Sequence, residues 1–304
     1  MFNFSNHYGS YTNYVKDNVL MIYDRYNKTY MDEKESGTLK FLYHNKIGRI
    51  ILKPFTCKWF TNIGALYMNS KLSKHRIKKF IKNNNIDMND YIVDNYKSFD
   101  NFFTRKIKKE LRPLIEDNNI VMSPCDSKLS VYKIDNKTNF KIKNSIYSIN
   151  DLLCDTDLAS EFNDGYCLVF RLCVDDYHHY HYIDDGKVLS TKKIKGKFHT
   201  VRPIAHENLK VFCENSREYA VLNTTNYGKV IQMEVGALLV GRICNLDKTT
   251  FSRGDEKGYF RFGGSTVILI FKKDTIKLND DILEATDKGA EIKVKLFEEI
   301  GRRY

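Results

Sequence analysis

Three short runs of this 304-residue chain carry side chains suited to acid–base or nucleophilic chemistry, and they lie far apart in sequence. The densest is Asp175-Asp176-Tyr177-His178-His179-Tyr180-His181, which places three of the chain's eight histidines within four positions. On a strand His179 and His181 share a face; on a turn or helix His178 and His181 do. These imidazoles together with Asp184 or Asp185 have the donor types zinc takes. No second Cys/His cluster accompanies them, and a lone histidine group more often serves acid–base chemistry or polar surface, so no metal is expected.

The second run, Phe262-Gly263-Gly264-Ser265-Thr266, leads directly into the apolar stretch Val267-Ile-Leu-Ile-Phe271. Judged alone it is a tight glycine turn entering a core strand. It also suits a serine that attacks the carbonyl of the residue before it, because that peptide must be twisted and closely approached, and glycine resists both least. Such a hydroxyl needs a base, and the base needs an orienting partner. The third run, Ser123-Pro124-Cys125-Asp126, is by itself a turn or cap. Its interest lies in the other two, since an aspartate, a histidine and a serine from separate segments make up that arrangement.

These groups must be positioned by what surrounds them. Beyond Val121 the chain reads as strands of four to eight residues separated by Asn, Asp and Gly turns, including Cys167-Leu-Val-Phe-Arg-Leu172 and Lys229-Val-Ile-Gln-Met-Glu-Val235. The run after Ser265 is almost continuously apolar, which predicts a strand buried on both faces. Ahead of it, helical spacing recurs from Leu39 through Leu42, Tyr43, Ile47, Ile50 and Ile51, until Pro54 ends or kinks the pattern. A second helix is predicted from Lys58 to Met68, and a third from a Ser73 cap with Ile77, Phe80 and Ile81 on one face. Residues 1 to about 37 are polar and tyrosine-rich, with little to assign. The expected class is α+β. A basic helical N-terminal region (residues 1–95) precedes a β-rich, sandwich-like catalytic domain (96–304).

Charge sharpens this division. The formal net charge is +11, and the eleven basic residues between Ser36 and Ile86 share that stretch with no Asp or Glu. The remaining residues therefore balance, and the excess is confined to the helical segment. Three uses fit: a solvated helical face, a nucleic-acid site, or a membrane-surface element with basic flanks and interfacial aromatics around Trp59. No helix-turn-helix, zinc or RNA-binding signature supports the second. The seven cysteines have no CxxC spacing and their number is odd, as expected of reduced thiols. No apolar run approaches the ~20 residues that span a bilayer, and the N-terminus has no signal-peptide pattern.

Five landmarks together resemble the phosphatidylserine decarboxylase family, bacterial type, over about residues 40 to 301. Phe99-Asp-Asn-Phe-Phe-Thr-Arg-Lys106 with Arg112-Pro113 resembles its FNxFFxRxL…RP block, and Ser123-Pro-Cys-Asp126 its SPxDG. Asp176-Tyr-His-His-Tyr-His181 resembles DYHRxH, and Met233-Glu-Val-Gly-Ala237 with Val240-Gly241 resembles VEVGAxxVG. Lys257-Gly-Tyr-Phe-Arg-Phe-Gly-Gly-Ser-Thr266 resembles the KGxExGxFxxGST cleavage block. The resemblance implies a self-processing triad of Asp126, His181 and Ser265, with cleavage between Gly264 and Ser265. His181 would take the Ser265 proton while Asp126 holds its tautomer, leaving a beta chain of residues 1–264 and an alpha chain of 265–304. Ser265 would become a covalent pyruvoyl cofactor that forms a Schiff base with phosphatidylserine, releasing carbon dioxide and phosphatidylethanolamine. His178 would handle substrate or a proton.

The same resemblance implies an anionic phospholipid membrane as partner, a peripheral place on the cytoplasmic face of the cell membrane, and no nucleic acid. The two chains would stay together as a heterodimer, with further dimerisation left open. The chain departs from the pattern at Ser127, where the family has glycine, and at His179, where it has arginine. A proline is also missing near Val174-Asp175. Two rival readings remain. One is a pyruvoyl decarboxylase of a soluble amino acid, which the basic amphipathic segment disfavours. The other is a non-enzymatic β-domain with a basic arm, which predicts a single intact polypeptide.

Overall fold

The apolar strands after residue 120 can be buried on both sides only in a layered structure, and the computed structural model, which describes residues 19–142, 145–238, 242–262 and 265–304, has one. Ten strands form one sheet in the spatial order 250–251, 186–194, 217–224, 228–235, 265–271, 166–172, 127–133, 291–294, 19–24 and 29–34. Neighbours are antiparallel except Val19–Asp24 and Glu291–Val294, which run parallel. The class is therefore α+β and rich in strand, as the sequence predicts.

Ser265–Phe271 lies in the middle of this sheet with all seven residues buried. The period of two sends its side chains to alternate faces. Val267, Leu269 and Phe271 join Leu129, Phe170 and Leu172 in one core cluster, while Ile268 and Ile270 join Val169, Ile231 and Met233 in the other. By that alternation Ser265 belongs to the face of Val267. A three-stranded antiparallel sheet, ordered Ile243–Asn245, Glu256–Phe260, His179–His181, contributes Tyr180 and Phe260 to that same cluster. The histidine strand and the serine strand thus face one core.

The helices ahead of residue 120 are α1 (Gly37–His44), α2 (Lys46–Phe55), α3 (Lys58–Asn69), α4 (Arg76–Asn83) and α5 (Phe99–Phe103). The periodicity that starts at Leu39 is split at Asn45, whose side chain caps α2 by accepting the N–H groups of Ile47 and Gly48. The two helices meet so closely that a Cβ on Gly48 would lie 2.0 Å from the Phe41 carbonyl oxygen, so this position requires glycine. Pro54 sits in the last turn of α2. The third helix starts later than expected. A 3-10 turn at Lys71–His75 places Ser73 in its middle, and Ser73 Oγ accepts the N–H of Phe99 at 2.8 Å instead of capping α4. Ahead of residue 37, where the local pattern is weak, Val19–Asp24 and Thr29–Lys34 complete one side of the main sheet.

Helix α5 joins the two regions. Ser98 caps it by accepting the Asn101 N–H. Phe99, Phe102 and Phe103 are fully buried in a cluster with Met68 and Ile77, against which Phe262 also packs. The aromatic run that resembles a family motif is thus the contact between the basic helices and the segment leading to Ser265.

Candidate active site

Ser265 is completely buried at the head of its strand, and its Oγ has no hydrogen-bond partner among the described residues. An unpaired buried hydroxyl costs about 1–3 kcal/mol, and native structures keep few such groups without a purpose. Ser265 pairs with Leu172, and Arg171 pairs with Lys128. Ser265 and the turn at Asp126 therefore lie at the same end of the sheet, two strands apart, or roughly 10 Å. Gly264, the expected other side of the cleaved bond, lies outside the described residues, as do Gly263, Val240 and Gly241.

His181 ends the short strand above this face. Its backbone N–H donates to the carbonyl of Pro124 at 2.9 Å, which seats it beside the Asp126 turn. Its ring packs edge-on against Phe297, 5.1 Å between centroids. Burial pushes its pKa down to about 4, so the ring is a neutral base near neutral pH. Nδ1, the nitrogen a triad aspartate would hold, is buried and without a partner among the described residues.

Asp126 is held elsewhere. Arg112 grips it as a fork, Nε to Oδ1 at 2.8 Å and Nη2 to Oδ2 at 2.5 Å, and the Leu296 N–H donates to Oδ1 at 2.7 Å. The structure thus brings Asp126 and His181 onto adjoining segments without a hydrogen bond between them. Ser127 opens the strand Ser127–Lys133 and is not among the residues with positive φ, so this turn accepts a side chain in place of glycine.

His178 is fully buried, with its ring 4.1 Å from that of Phe103, which in turn packs on Phe262. Nδ1 lies 2.8 Å from the Asp176 carbonyl, an acceptor only, so Nδ1 carries the hydrogen and Nε2 the lone pair. Nε2 is buried and unpartnered among the described residues. Burial takes the pKa of this ring down to about 3. His178 is therefore an acceptor at rest, and it donates only after taking up a proton.

His179 does not join these groups. It is sandwiched between Tyr177 and Tyr259, with Nδ1 2.9 Å from Glu256 Oε1 and Nε2 3.2 Å from the Thr104 carbonyl. Two acceptors at the two ends of the ring are partners an arginine could also satisfy. Burial raises the Glu256 carboxyl, but contacts from His179 and Lys106 outweigh it and hold the group at about 2.

Two further residues position the site without standing out in the sequence. Asp100 accepts Arg261 Nε at 2.8 Å and the Phe262 N–H at 3.3 Å, fixing the segment just before the glycine pair. Glu234, completely buried beside the serine strand, takes Lys257 Nζ on both oxygens at 2.7 Å. Only their place inside the FDNFF, MEVGA and KGYF runs marked Asp100, Glu234 and Lys257, and no run shows that Glu234 and Lys257 neutralise each other. No group of three or more metal-ligating side chains occurs among the described residues.

Comparison with known proteins gives the family. The family model described as phosphatidylserine decarboxylase matches residues 99–302. Phosphatidylserine decarboxylase proenzyme 2 of Clostridium acetobutylicum is 50% identical over 273 residues, covering 90% of this chain and 94% of that protein. The phosphatidylserine decarboxylase proenzyme of Clostridium botulinum strain 657 is 44% identical over 294 residues, with 94% and 100% covered. That of Clostridium perfringens strain ATCC 13124 is 41% identical over 295 residues, with the same coverage. With its serine at the head of a buried strand and its histidines on the facing layer, the chain belongs to the phosphatidylserine decarboxylase family.

Proposed function

We propose that the chain is a proenzyme that cuts itself between Gly264 and Ser265 and then converts phosphatidylserine to phosphatidylethanolamine and carbon dioxide. The observation that carries this reading is the Ser265 hydroxyl: buried, without a partner among the described residues, directly after a glycine pair, and on the face covered by the histidine strand.

In the first step His181 accepts the Oγ proton and Ser265 attacks the Gly264 carbonyl. The peptide C–N bond breaks, the proton passes to the freed amine of Ser265, and an ester joins Gly264 to Oγ. Loss of the Ser265 α-proton then expels the Gly264 carboxylate as the new end of residues 1–264. The dehydroalanine left at position 265 tautomerises to an imine, which water hydrolyses with loss of ammonia, leaving a pyruvoyl group on residues 265–304. The buried His178 Nε2, unpartnered among the described residues, suits a site that must hold such a group and its substrate. A pyruvoyl group at position 265 would supply a carbonyl able to condense with the substrate amine and to accept the electrons released with carbon dioxide. His178 Nε2 is the atom at which a proton is taken up and returned to the product. The aromatic wall of Phe103 and Phe262 keeps water away from it.

The enzyme works as a peripheral protein at the cytoplasmic face of the membrane, its two chains remaining together. Ile47 and Ile50 on α2 and Trp59, Ile63 and Leu66 on α3 are each more than half exposed. Lys46, Arg49, Lys53 and Lys58 stand exposed beside them. Apolar side chains ringed by cations match an anionic bilayer surface, where each Lys or Arg contributes about 1 kcal/mol. No helix among the described residues is long and apolar enough to cross a membrane. Purified protein should convert phosphatidylserine in mixed vesicles, and Ser265→Ala should abolish conversion. Turnover by Ser265→Ala would overturn the reading.

A further inference from the structure

Asp126 is the one expected triad member whose charge is already taken up, and the residue that takes it up lies in a different motif. Arg112 follows the 3-10 turn Lys109–Leu111, and Pro113 after it prevents that turn from growing into a helix. The side chain then turns inward until only 11% of it is exposed, against 10% for Asp126. Nη1 is spent on the Leu111 carbonyl at 2.8 Å, so Nε and Nη2 meet the carboxylate at a fixed angle.

The distribution of donors is uneven. Among the described residues Oδ1 receives two, Arg112 Nε and the Leu296 N–H, whereas Oδ2 receives only Arg112 Nη2. A carboxylate oxygen has two lone pairs, so the remaining acceptor capacity of this group is concentrated on Oδ2. One missing partner is also present nearby. His181 Nδ1 is buried and unpartnered, on a strand tied to the Asp126 turn through Pro124. Leu296 and Phe297 span both groups, the first bonded to Asp126 and the second packed on the His181 ring.

We infer that Arg112 is a positioning residue for self-cleavage: its fork sets the Asp126 carboxylate so that Oδ2 is the oxygen offered to His181 Nδ1. The inference rests on the self-cleavage reading. It assigns a function to the arginine of the Arg112-Pro113 pair that the burial of an ion pair alone does not explain, since buried pairs contribute little net stability. A lysine could keep the charge but not the two-point grip, because its ammonium is a single point without a planar fork.

The test follows the rate at which freshly folded full-length chain divides into residues 1–264 and 265–304. Arg112→Ala should cut about ten- to a hundred-fold more slowly, the loss typical when a partner one layer behind the reacting groups is removed. Added guanidinium, well below denaturing concentration, should restore much of the rate, whereas ammonium at equal ionic strength should not. Access exists, because Arg112 and Asp126 line an open cleft of about 220 Å³ with Asp90, Tyr91, Asp175 and Lys293. Cleavage of Arg112→Ala at the wild-type rate overturns the inference. So does slow cleavage of a normally folded Arg112→Ala that guanidinium does not accelerate. Should Arg112→Ala fail to fold, Arg112→Lys is read instead: slowed cleavage with an unchanged melting temperature supports the inference, and a wild-type rate overturns it. An uncut wild-type chain would sink the self-cleavage reading itself, a result distinct from either.

Discussion

His178 Nδ1 lies 2.8 Å from the carbonyl oxygen of Asp176, two residues back, and this contact fixes which nitrogen of the ring is free. The free Nε2 is buried and has no partner among the described residues, and it is His181 that serves Ser265 in the proposed cleavage. The two histidines should therefore separate by function. His178→Gln is expected to cleave itself but to lose about 10²–10⁴-fold in decarboxylation, the usual contribution of an acid–base group. Fragment analysis by mass spectrometry alongside turnover on vesicles measures both. An uncut His178→Gln chain would contradict the division of labour.

Burial also makes these rings a source of acid sensitivity. Their folded pKa values are about 3 and about 4, against about 6.5 for an unperturbed imidazole. Between these values the unfolded chain binds more protons than the folded one, so stability rises with pH there. Stability is thus lost as pH falls below about 6.5, by up to ~1.4 kcal/mol per pH unit for each ring. The loss ends near pH 4 for His181 and near pH 3 for His178. Thermal melts of a Ser265→Ala background, with and without His178→Gln, should show a shallower acid slope when His178→Gln is present. Parallel curves would contradict the buried neutral ring.

Glu234 and Lys257 form a buried ion pair, with the Asn245 amide bonded to both. Lys257→Met should destabilise the chain by about 3–5 kcal/mol, the cost of stranding a buried charge. The double variant Glu234→Gln with Lys257→Met should recover most of it. Urea unfolding of the three proteins decides the matter, and equal losses in single and double variants would rule out the compensation.

The exposed ridge of α2 and α3 makes a prediction independent of catalysis. Ile63→Glu combined with Leu66→Glu should release the protein from phosphatidylserine-containing vesicles in a flotation assay while leaving self-cleavage at the wild-type rate. Raising salt should weaken wild-type attachment, because the lysine contribution is screened over about 10 Å at 0.1 M ionic strength. Undiminished flotation of the double variant would place the docking face elsewhere.

Much of this was legible in the chain. Val267 to Phe271 is apolar without interruption because both faces of its strand are buried, and the eleven uncompensated cations mark the helices that surround the exposed ridge. What stayed hidden depends on pairings between distant residues. Val19–Asp24 pairs with the neighbouring Thr29–Lys34 but reaches the main sheet only through Glu291–Val294, and no local period announces a partner some 270 residues away. The Asp100 clamp on Arg261 and Phe262 joins two motifs that sequence spacing treats as separate. Ser73 has the residue type of a cap, but its hydroxyl serves the Phe99 amide, a contact only tertiary packing creates.

The most direct measurement is denaturing mass spectrometry of the purified wild-type chain. The account predicts two species, residues 1–264 and residues 265–304, the second lighter than its sequence requires and blocked at its N-terminus because Ser265 has become pyruvoyl. Ser265→Ala should give one intact chain. A wild-type protein that folds yet remains a single polypeptide of 304 residues with an unmodified Ser265 would contradict the account.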